Sequence, residues 1–107
     1  MQRFGQVIKV KPDQLDYYRE LHANPWPSVL QKIEECNIRN YSIFLLNDAM
    51  LFAYFEYIGD DFEADMALMA KDEATQRWWK ETDPCQESLE LNPGEWWHTM
   101  EELFHCK

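Results

Sequence analysis

The centre of the sequence contains two apolar, aromatic-rich stretches, 41–46 and 50–57, which are separated by Asn47, Asp48 and Ala49. Each stretch is typical of a β-strand, and a short connection containing Asn and Asp is typical of a hairpin turn. The turn signal is not the strongest kind, because no Gly follows the Asn or the Asp. This hairpin constrains the fold, since every other strand and helix pattern of the chain must be arranged around it.

The segment before the hairpin predicts one strand followed by two helices. A strand is expected over Phe4–Val10, where polar and apolar residues alternate. A helix is expected from Asp13 to His22, since its apolar residues recur at spacings of three and four. Pro25 and Pro27 interrupt the helical pattern, because two prolines so close cannot both lie inside a regular helix. A second helical stretch then follows over 28–36.

The segment after the hairpin predicts further helix and one last strand. The pair Asp60-Asp61 is a plausible cap for the next helix. Apolar residues at positions 62, 66 and 69 follow at helical spacing and indicate a core stripe. Asp72 is expected to pause this helix, which continues or restarts over Glu73–Thr82. A polar segment follows, and Trp96–Phe104 is predicted to be the final strand.

The order strand, helix, strand, strand, helix, strand predicts an α+β fold of the ferredoxin-like βαββαβ type. One face of its antiparallel sheet would be covered by helices. A second subunit packing sheet to sheet would cover the other face and give a dimeric α+β barrel, so we expect a homodimer. With 107 residues, the chain is expected to form one domain, 1–107.

The formal net charge of −10 argues against nucleic acid and anionic membranes as partners. The three cysteines, Cys36, Cys85 and Cys106, contain no CxxC pair, so they suggest neither a disulfide framework nor a zinc site. Reduced thiols fit a cytoplasmic protein. The N-terminal residues lack the apolar core of a signal peptide, and no apolar run is long enough to span a bilayer.

His22 is the first candidate for chemistry, because histidine is the usual general acid or base near neutral pH. Tyr18 lies one helical turn earlier, so both side chains point the same way. The alternative is a histidine with a structural hydrogen bond at a helix end. His98 and His105 lie seven residues apart on the predicted last strand, so they would face opposite sides and form no obvious metal pair.

Five tryptophans are many for a chain this short, and indole rings stack on the apolar faces of sugars while their N–H groups bind hydroxyls. Trp78 and Trp79 diverge by about 100° on a helix, so both can line one pocket only if it wraps the helix edge. Core or dimer packing is the alternative for all of them. It is the favoured interpretation for Trp96 and Trp97.

Three ordered blocks resemble the L-rhamnose mutarotase family. The stretch 18–22 followed by Trp26-Pro27 is similar to the Tyr, His and Trp-Pro signature near the start of that family. The stretch 40–43 resembles its Asn-Tyr segment, and 76–79 resembles its helical double-Trp element. The family often has Arg before the His and Glu after Trp-Pro, where this chain has Leu21 and Ser28.

The resemblance implies a dimeric ferredoxin-like enzyme that interconverts the α and β anomers of a free pyranose without a metal or organic cofactor. Carried over by position, His22 would be the acid/base residue, and the sugar site would be lined by Tyr18, Tyr41, Trp78 and Trp79. L-Rhamnose is the implied sugar, and L-fucose or another free aldose stays open. A non-catalytic dimeric module that binds a small ligand is the alternative from another class. An oxygenase or haem-handling enzyme of the same architecture would rest on fold analogy alone.

Overall fold

The computed structural model describes residues 1–107 and contains an antiparallel sheet with four helices on one face. The elements follow in chain order as β1 (Gln2–Val10), α1 (Leu15–Ala23), α2 (Pro27–Glu35), β2 (Ile38–Leu46), β3 (Met50–Tyr57), α3 (Phe62–Lys71), α4 (Glu73–Thr82), β4 (Gln86–Glu87) and β5 (His98–Met100). The helix expected from Asp13 begins two residues later, because a 3₁₀ turn at Pro12–Gln14 precedes α1. The predicted α+β, ferredoxin-like order is otherwise confirmed.

The sheet has the order β2-β3-β1, and β4 and β5 both pair with the remaining edge of β1. β4 pairs with Lys9 and Val10, whereas β5 pairs with positions 5–7. The predicted strand Trp96–Phe104 is therefore wrong in extent, since only His98–Met100 within it form β-structure. β4 occupies the edge of β1 at Lys9 and Val10, which limits the start of β5, and at the other end the chain leaves the edge of β1 after Met100. Residues 101–107 leave the sheet and are exposed.

Local sequence signals explain where the elements begin and turn. Asn47 and Asp48 have φ angles of 53° and 56°, and Asn and Asp tolerate this left-handed region better than most residues. The Asp61 carboxylate accepts the Ala64 N–H at 3.1 Å and caps α3. The Asp72 carboxylate accepts the Thr75 N–H at 3.0 Å and starts α4 in the same way.

The core lies between the helices and the inner face of the sheet. Alternate residues of β3, beginning with Leu51 and ending with Tyr57, are buried on that face. The apolar cluster at one end of the core joins β1 to α1 and comprises Ile8, Val10, Leu15, Tyr18, Leu51 and Cys85. The cluster at the other end comprises Ile38, Phe55 and Tyr57, with Phe4, Ile33, Phe62, Met66 and Met69 packed against it.

A closed hydrogen-bond cluster attaches the end of β3 to α3. The Tyr57 hydroxyl donates to the Asp65 carboxylate and accepts the backbone N–H of Asp61 at 3.0 Å. Asn37 Nδ2 also donates to the Asp65 carboxylate, at 3.0 Å. These bonds fix the position of α3 over the sheet. No helix of the chain is both long enough and apolar enough to cross a bilayer.

Candidate active site

A cavity of about 560 Å³ lies between the inner face of the sheet and the four helices. Its walls are mostly apolar towards α3, where Phe55, Phe62 and Met66 line it. The polar side chains gather at the other end, close to α1 and β4. That end is lined by Gln6, Tyr18, His22, Asp83 and Gln86, together with the rings of Trp78, Trp79, Trp96 and Trp97. An apolar wall with a few convergent polar groups is typical of a small-molecule site.

His22 lies in the last turn of α1 and is partly buried in the cavity wall. Its Nδ1 lies 2.8 Å from the backbone carbonyl oxygen of Tyr18. A carbonyl can only accept, so Nδ1 carries the hydrogen and Nε2 is left with a free lone pair in the neutral ring. Burial lowers the pKa of His22 from its ordinary value, and the hydrogen bond to the carbonyl only partly opposes this shift. The imidazole is therefore neutral, and thus a base, near pH 7.

Aromatic rings hold the His22 imidazole in place. The Tyr18 ring lies 4.2 Å from it, one helical turn earlier, as the spacing predicted. The Trp78 ring meets it edge-on at 5.3 Å, and Trp26 in turn packs edge-on against Trp78 at 5.1 Å. A ring held on several sides can transfer a proton without first losing rotational freedom.

Tyr18 belongs to a chain of side-chain hydrogen bonds that joins three separate elements. Gln86 Nε2 lies 3.0 Å from the Tyr18 hydroxyl oxygen, and Trp96 Nε1 lies 2.8 Å from Gln86 Oε1. Tyr18 and Gln86 are only 5 % and 4 % exposed, so both bonds lie in a largely buried region at the cavity wall. Burial also raises the pKa of the Tyr18 hydroxyl, which keeps it protonated.

The other residues expected at the site also lie on the cavity wall. Trp78 is buried and Trp79 is about one-third exposed, and both line the cavity from adjacent positions of α4. The cavity therefore wraps the edge of that helix. Tyr41 lines it from β2, where an irregular register between Arg39 and Ser42 interrupts the regular alternation of side chains.

Four residues at this end of the cavity were not assigned to it from sequence. Trp96 and Trp97 line the cavity, although Trp97 also packs against the core cluster of β1 and α1. Gln86 and Asp83 lie in the short segment that follows α4, which carries no periodic pattern. Partial burial raises the pKa of the Asp83 carboxyl. The one available signal was the polar segment between two aromatic pairs, which could have indicated a loop folded over a site.

Comparisons with known proteins agree on one family. A family model described as L-rhamnose mutarotase matches residues 3–106. The L-rhamnose mutarotase of Shouchella clausii is 33 % identical over 107 residues, covering 98 % of both chains. That of Lactiplantibacillus plantarum is 32 % identical over 106 residues, again covering 98 % of both.

The fold has a match among solved structures. The crystal structure of L-rhamnose mutarotase from Formosa agariphila superposes with a TM-score of 0.77 and covers 100 % of both chains. Its sequence is 24 % identical, so this match supports the fold alone.

Proposed function

This chain belongs to the L-rhamnose mutarotase family of carbohydrate isomerases, and we propose that it interconverts the α and β anomers of free L-rhamnose with His22 as the proton-transfer residue. One observation carries the proposal. His22 lines a cavity whose polar end is surrounded by tryptophan rings, and the bond from its Nδ1 to the Tyr18 carbonyl leaves the lone pair on Nε2.

Anomerisation needs one proton to move between two oxygens bonded to the same carbon. His22 Nε2 takes the proton from the anomeric O1 hydroxyl, the C1–O5 bond breaks, and a C1–O1 double bond forms. The imidazolium returns the proton to O5, so the open-chain aldehyde carries a hydroxyl there. Rotation about the C1–C2 bond and closure on the other face give the second anomer. General acid–base catalysis by one residue contributes roughly 10²–10⁴-fold.

The neutral state of His22 suits this role. A base must be unprotonated before it can accept the O1 proton, and the lowered pKa ensures this at neutral pH. The bond to the Tyr18 carbonyl fixes the tautomer that leaves Nε2 bare. Tyr18, whose raised pKa makes it a poor acid, is assigned to binding the sugar.

The aromatic residues would position the pyranose. Trp78 and Trp79 offer two surfaces at the edge of α4, and Tyr41 faces the same cavity from the sheet. The C–H face of a sugar stacks on such rings, while indole N–H groups donate to hydroxyls. We assign Tyr18, Tyr41, Trp78 and Trp79 to substrate binding.

Exchange NMR of the anomeric protons tests the function with a panel of free sugars that includes L-rhamnose and L-fucose. We expect acceleration with L-rhamnose, a loss of about 10²-fold or more in His22→Ala, and no change in His105→Ala. His105 is the matched control, because it is an exposed histidine outside the cavity. Acceleration of L-fucose alone would reassign the sugar. No acceleration by the folded protein would leave a ligand-binding module, and full activity in His22→Ala would remove His22 from the mechanism.

We also propose that the protein is a homodimer. The outer face of the sheet and the C-terminal segment expose large apolar side chains, among them Phe44, Leu46, Leu103 and Phe104, at 64, 49, 89 and 83 % exposure. Apolar surface of this kind marks an association site. Sedimentation should give twice the 12.9 kDa chain mass, and Phe44→Glu should shift the protein towards monomer. A monomer at high concentration would contradict this.

The free thiols fit a cytoplasmic location.

A further inference from the structure

The hydrogen-bond chain through Gln86 has a direction that chemistry fixes. The indole N–H of Trp96 can only donate, so the Gln86 atom 2.8 Å away must be the amide oxygen. Distances alone do not separate the oxygen and nitrogen of an amide, but a donor-only neighbour does. The Gln86 nitrogen must therefore be the atom that faces the Tyr18 hydroxyl at 3.0 Å.

The orientation of the Gln86 amide also determines the hydrogen-bonding role of the Tyr18 hydroxyl. Its hydroxyl oxygen accepts a hydrogen from Gln86, so its own hydrogen is not used in that bond. The hydroxyl makes no second hydrogen bond within the protein, and Tyr18 lines the cavity. We propose that Gln86, oriented by Trp96, is a positioning residue that makes the Tyr18 hydroxyl an obligatory hydrogen-bond donor to the ring oxygen O5 of the sugar. This proposal rests on the proposed function.

The choice of O5 follows from the pair that Tyr18 and His22 form. Their rings lie 4.2 Å apart, and one offers a donor hydrogen while the other offers the lone pair of Nε2. A free pyranose carries a matching pair on one carbon, since O1–H is a donor and O5 is an acceptor. His22 therefore faces O1 and Tyr18 faces O5. When the C1–O5 bond breaks, negative charge grows on O5, so the Tyr18 bond strengthens in the transition state.

Gln86→Glu tests the direction with almost no change of shape. The introduced carboxylate still accepts a hydrogen bond from Trp96, but it also accepts one from the Tyr18 hydroxyl. The Tyr18 hydrogen is then no longer available to the sugar. At pH 7.5 we expect kcat to fall about tenfold, the value of one lost hydrogen bond of the charged class, with KM changed far less. Protonation of the introduced carboxyl restores one donor and one acceptor, as in the amide. The kcat of Gln86→Glu, divided by the kcat of the wild-type protein, should therefore rise as the pH is lowered.

The ratio of kcat in Gln86→Glu to kcat in the wild-type protein reports on the introduced carboxyl alone, because the surrounding titratable side chains are present in both proteins. These are Tyr18 and His22 of α1, Tyr41 of β2, Asp83 and Cys85 before β4, and Glu95 and His98 beside Trp96. Burial raises the pKa of a carboxyl, which brings its protonation into a range where the enzyme can still be assayed. Gln2→Glu adds the same charge at an exposed position at the opposite end of β1, and its ratio should stay near one at every pH.

Trp96→Phe removes the donor that orients the amide while keeping an aromatic ring at this position of the cavity wall. We expect a smaller loss in kcat, about threefold, because the amide can then adopt either orientation. Unchanged kcat in Gln86→Glu, or a loss whose ratio stays flat with pH, would overturn the proposal, since a merely structural role predicts no recovery in acid. A fall in affinity with kcat intact would also contradict it.

The two proposals fail separately. If the wild-type protein accelerates anomer exchange of no sugar, the proposed function is contradicted, and with it the assignment of Tyr18 to O5. The orientation itself is then judged without sugar from the Trp96 indole N–H resonance, which should move upfield in Gln86→Leu as its acceptor is lost. A resonance that does not move would overturn the role of Trp96 and Gln86.

Discussion

Tyr18 and Tyr57 are both almost completely buried, at 5 % and 2 % exposure, yet their hydroxyls are used differently. The Tyr57 hydroxyl donates to Asp65 and accepts from the Asp61 N–H, so its hydrogen-bonding capacity is filled by the protein. The Tyr18 hydroxyl accepts from Gln86 and keeps its hydrogen for another molecule. The first arrangement is closed and the second is open towards a cavity.

Burial does not distinguish the two groups. It raises the pKa of both phenols, to about 12 for Tyr57. The difference lies in which hydrogen bonds are complete. A buried polar group with all its partners stabilises the fold, whereas one with a missing partner at a cavity wall is ready to bind a ligand. Changes at the two tyrosines should therefore separate stability from activity.

The largest effect is expected from Gly59→Ala, next to the closed cluster. A Cβ at Gly59 would lie 2.6 Å from Tyr57 Cζ and 2.8 Å from Asn37 Nδ2, so the buried ring would have to move. We expect the free energy of unfolding to fall by about 3 kcal/mol, measured by urea denaturation. Wild-type stability would show that the cluster is not rigid and would weaken the comparison.

Tyr57→Phe should come next. It leaves the Asp61 N–H without its acceptor and removes one donor from Asp65, at a cost of about 2 kcal/mol. Under conditions where the variant remains folded, kcat for anomer exchange should match the unchanged protein. A large loss of kcat in the folded variant would mean that the two regions are coupled.

Tyr18→Phe should give the reverse result. Anomer exchange should slow about tenfold, because the donor to the sugar is lost. The free energy of unfolding should fall by about 1 kcal/mol, since Gln86 Nε2 loses its acceptor. A stability loss as large as in Tyr57→Phe, with activity retained, would show that Tyr18 is also structural.

Acid should affect the two regions in different pH ranges. Activity is lost as His22 protonates, and its lowered pKa places that loss below 6.5. Bonds from Tyr57 and Asn37 lower the pKa of Asp65 in the folded protein. A lowered folded-state pKa means that this stability is present above the ordinary value of 3.8 and is lost as the pH falls through the folded pKa. The pH profile of the anomer-exchange rate should therefore differ from the pH profile of the free energy of unfolding. Coincident profiles would refute the assignment of His22 to activity and of Asp65 to stability.

Local signals were enough to predict much of the fold. β3 and α4 begin and end where the sequence indicated, because the turn at 47–49, the Asp72 cap and Pro84 act over a few residues. The last strand was overestimated at its start because β4 occupies the adjacent edge of β1, and at its end because the chain leaves that edge after Met100. That is a tertiary property, and the aromatic pattern of 96–104 does not encode it.

The candidate site divides in the same way. Tyr18 and His22 are placed together by helical spacing alone, and helical geometry also brings Trp78 and Trp79 to one edge. Gln86 and Trp96 meet only because β4 and β5 lie along the same strand. No periodic pattern links two residues across such a loop, so their contact could not be predicted from the sequence.

The divided edge of the sheet also has an evolutionary consequence. The loop between β4 and β5 is attached to β1 at both ends, so it can change in length and composition while the sheet and the helices stay in place. The proposed proton-transfer residue comes from α1, whereas the two residues that orient Tyr18, Gln86 and Trp96, come from the two ends of this loop. The middle of this surface segment can therefore drift in evolution while its two anchored ends, and with them the orientation of Tyr18, are retained.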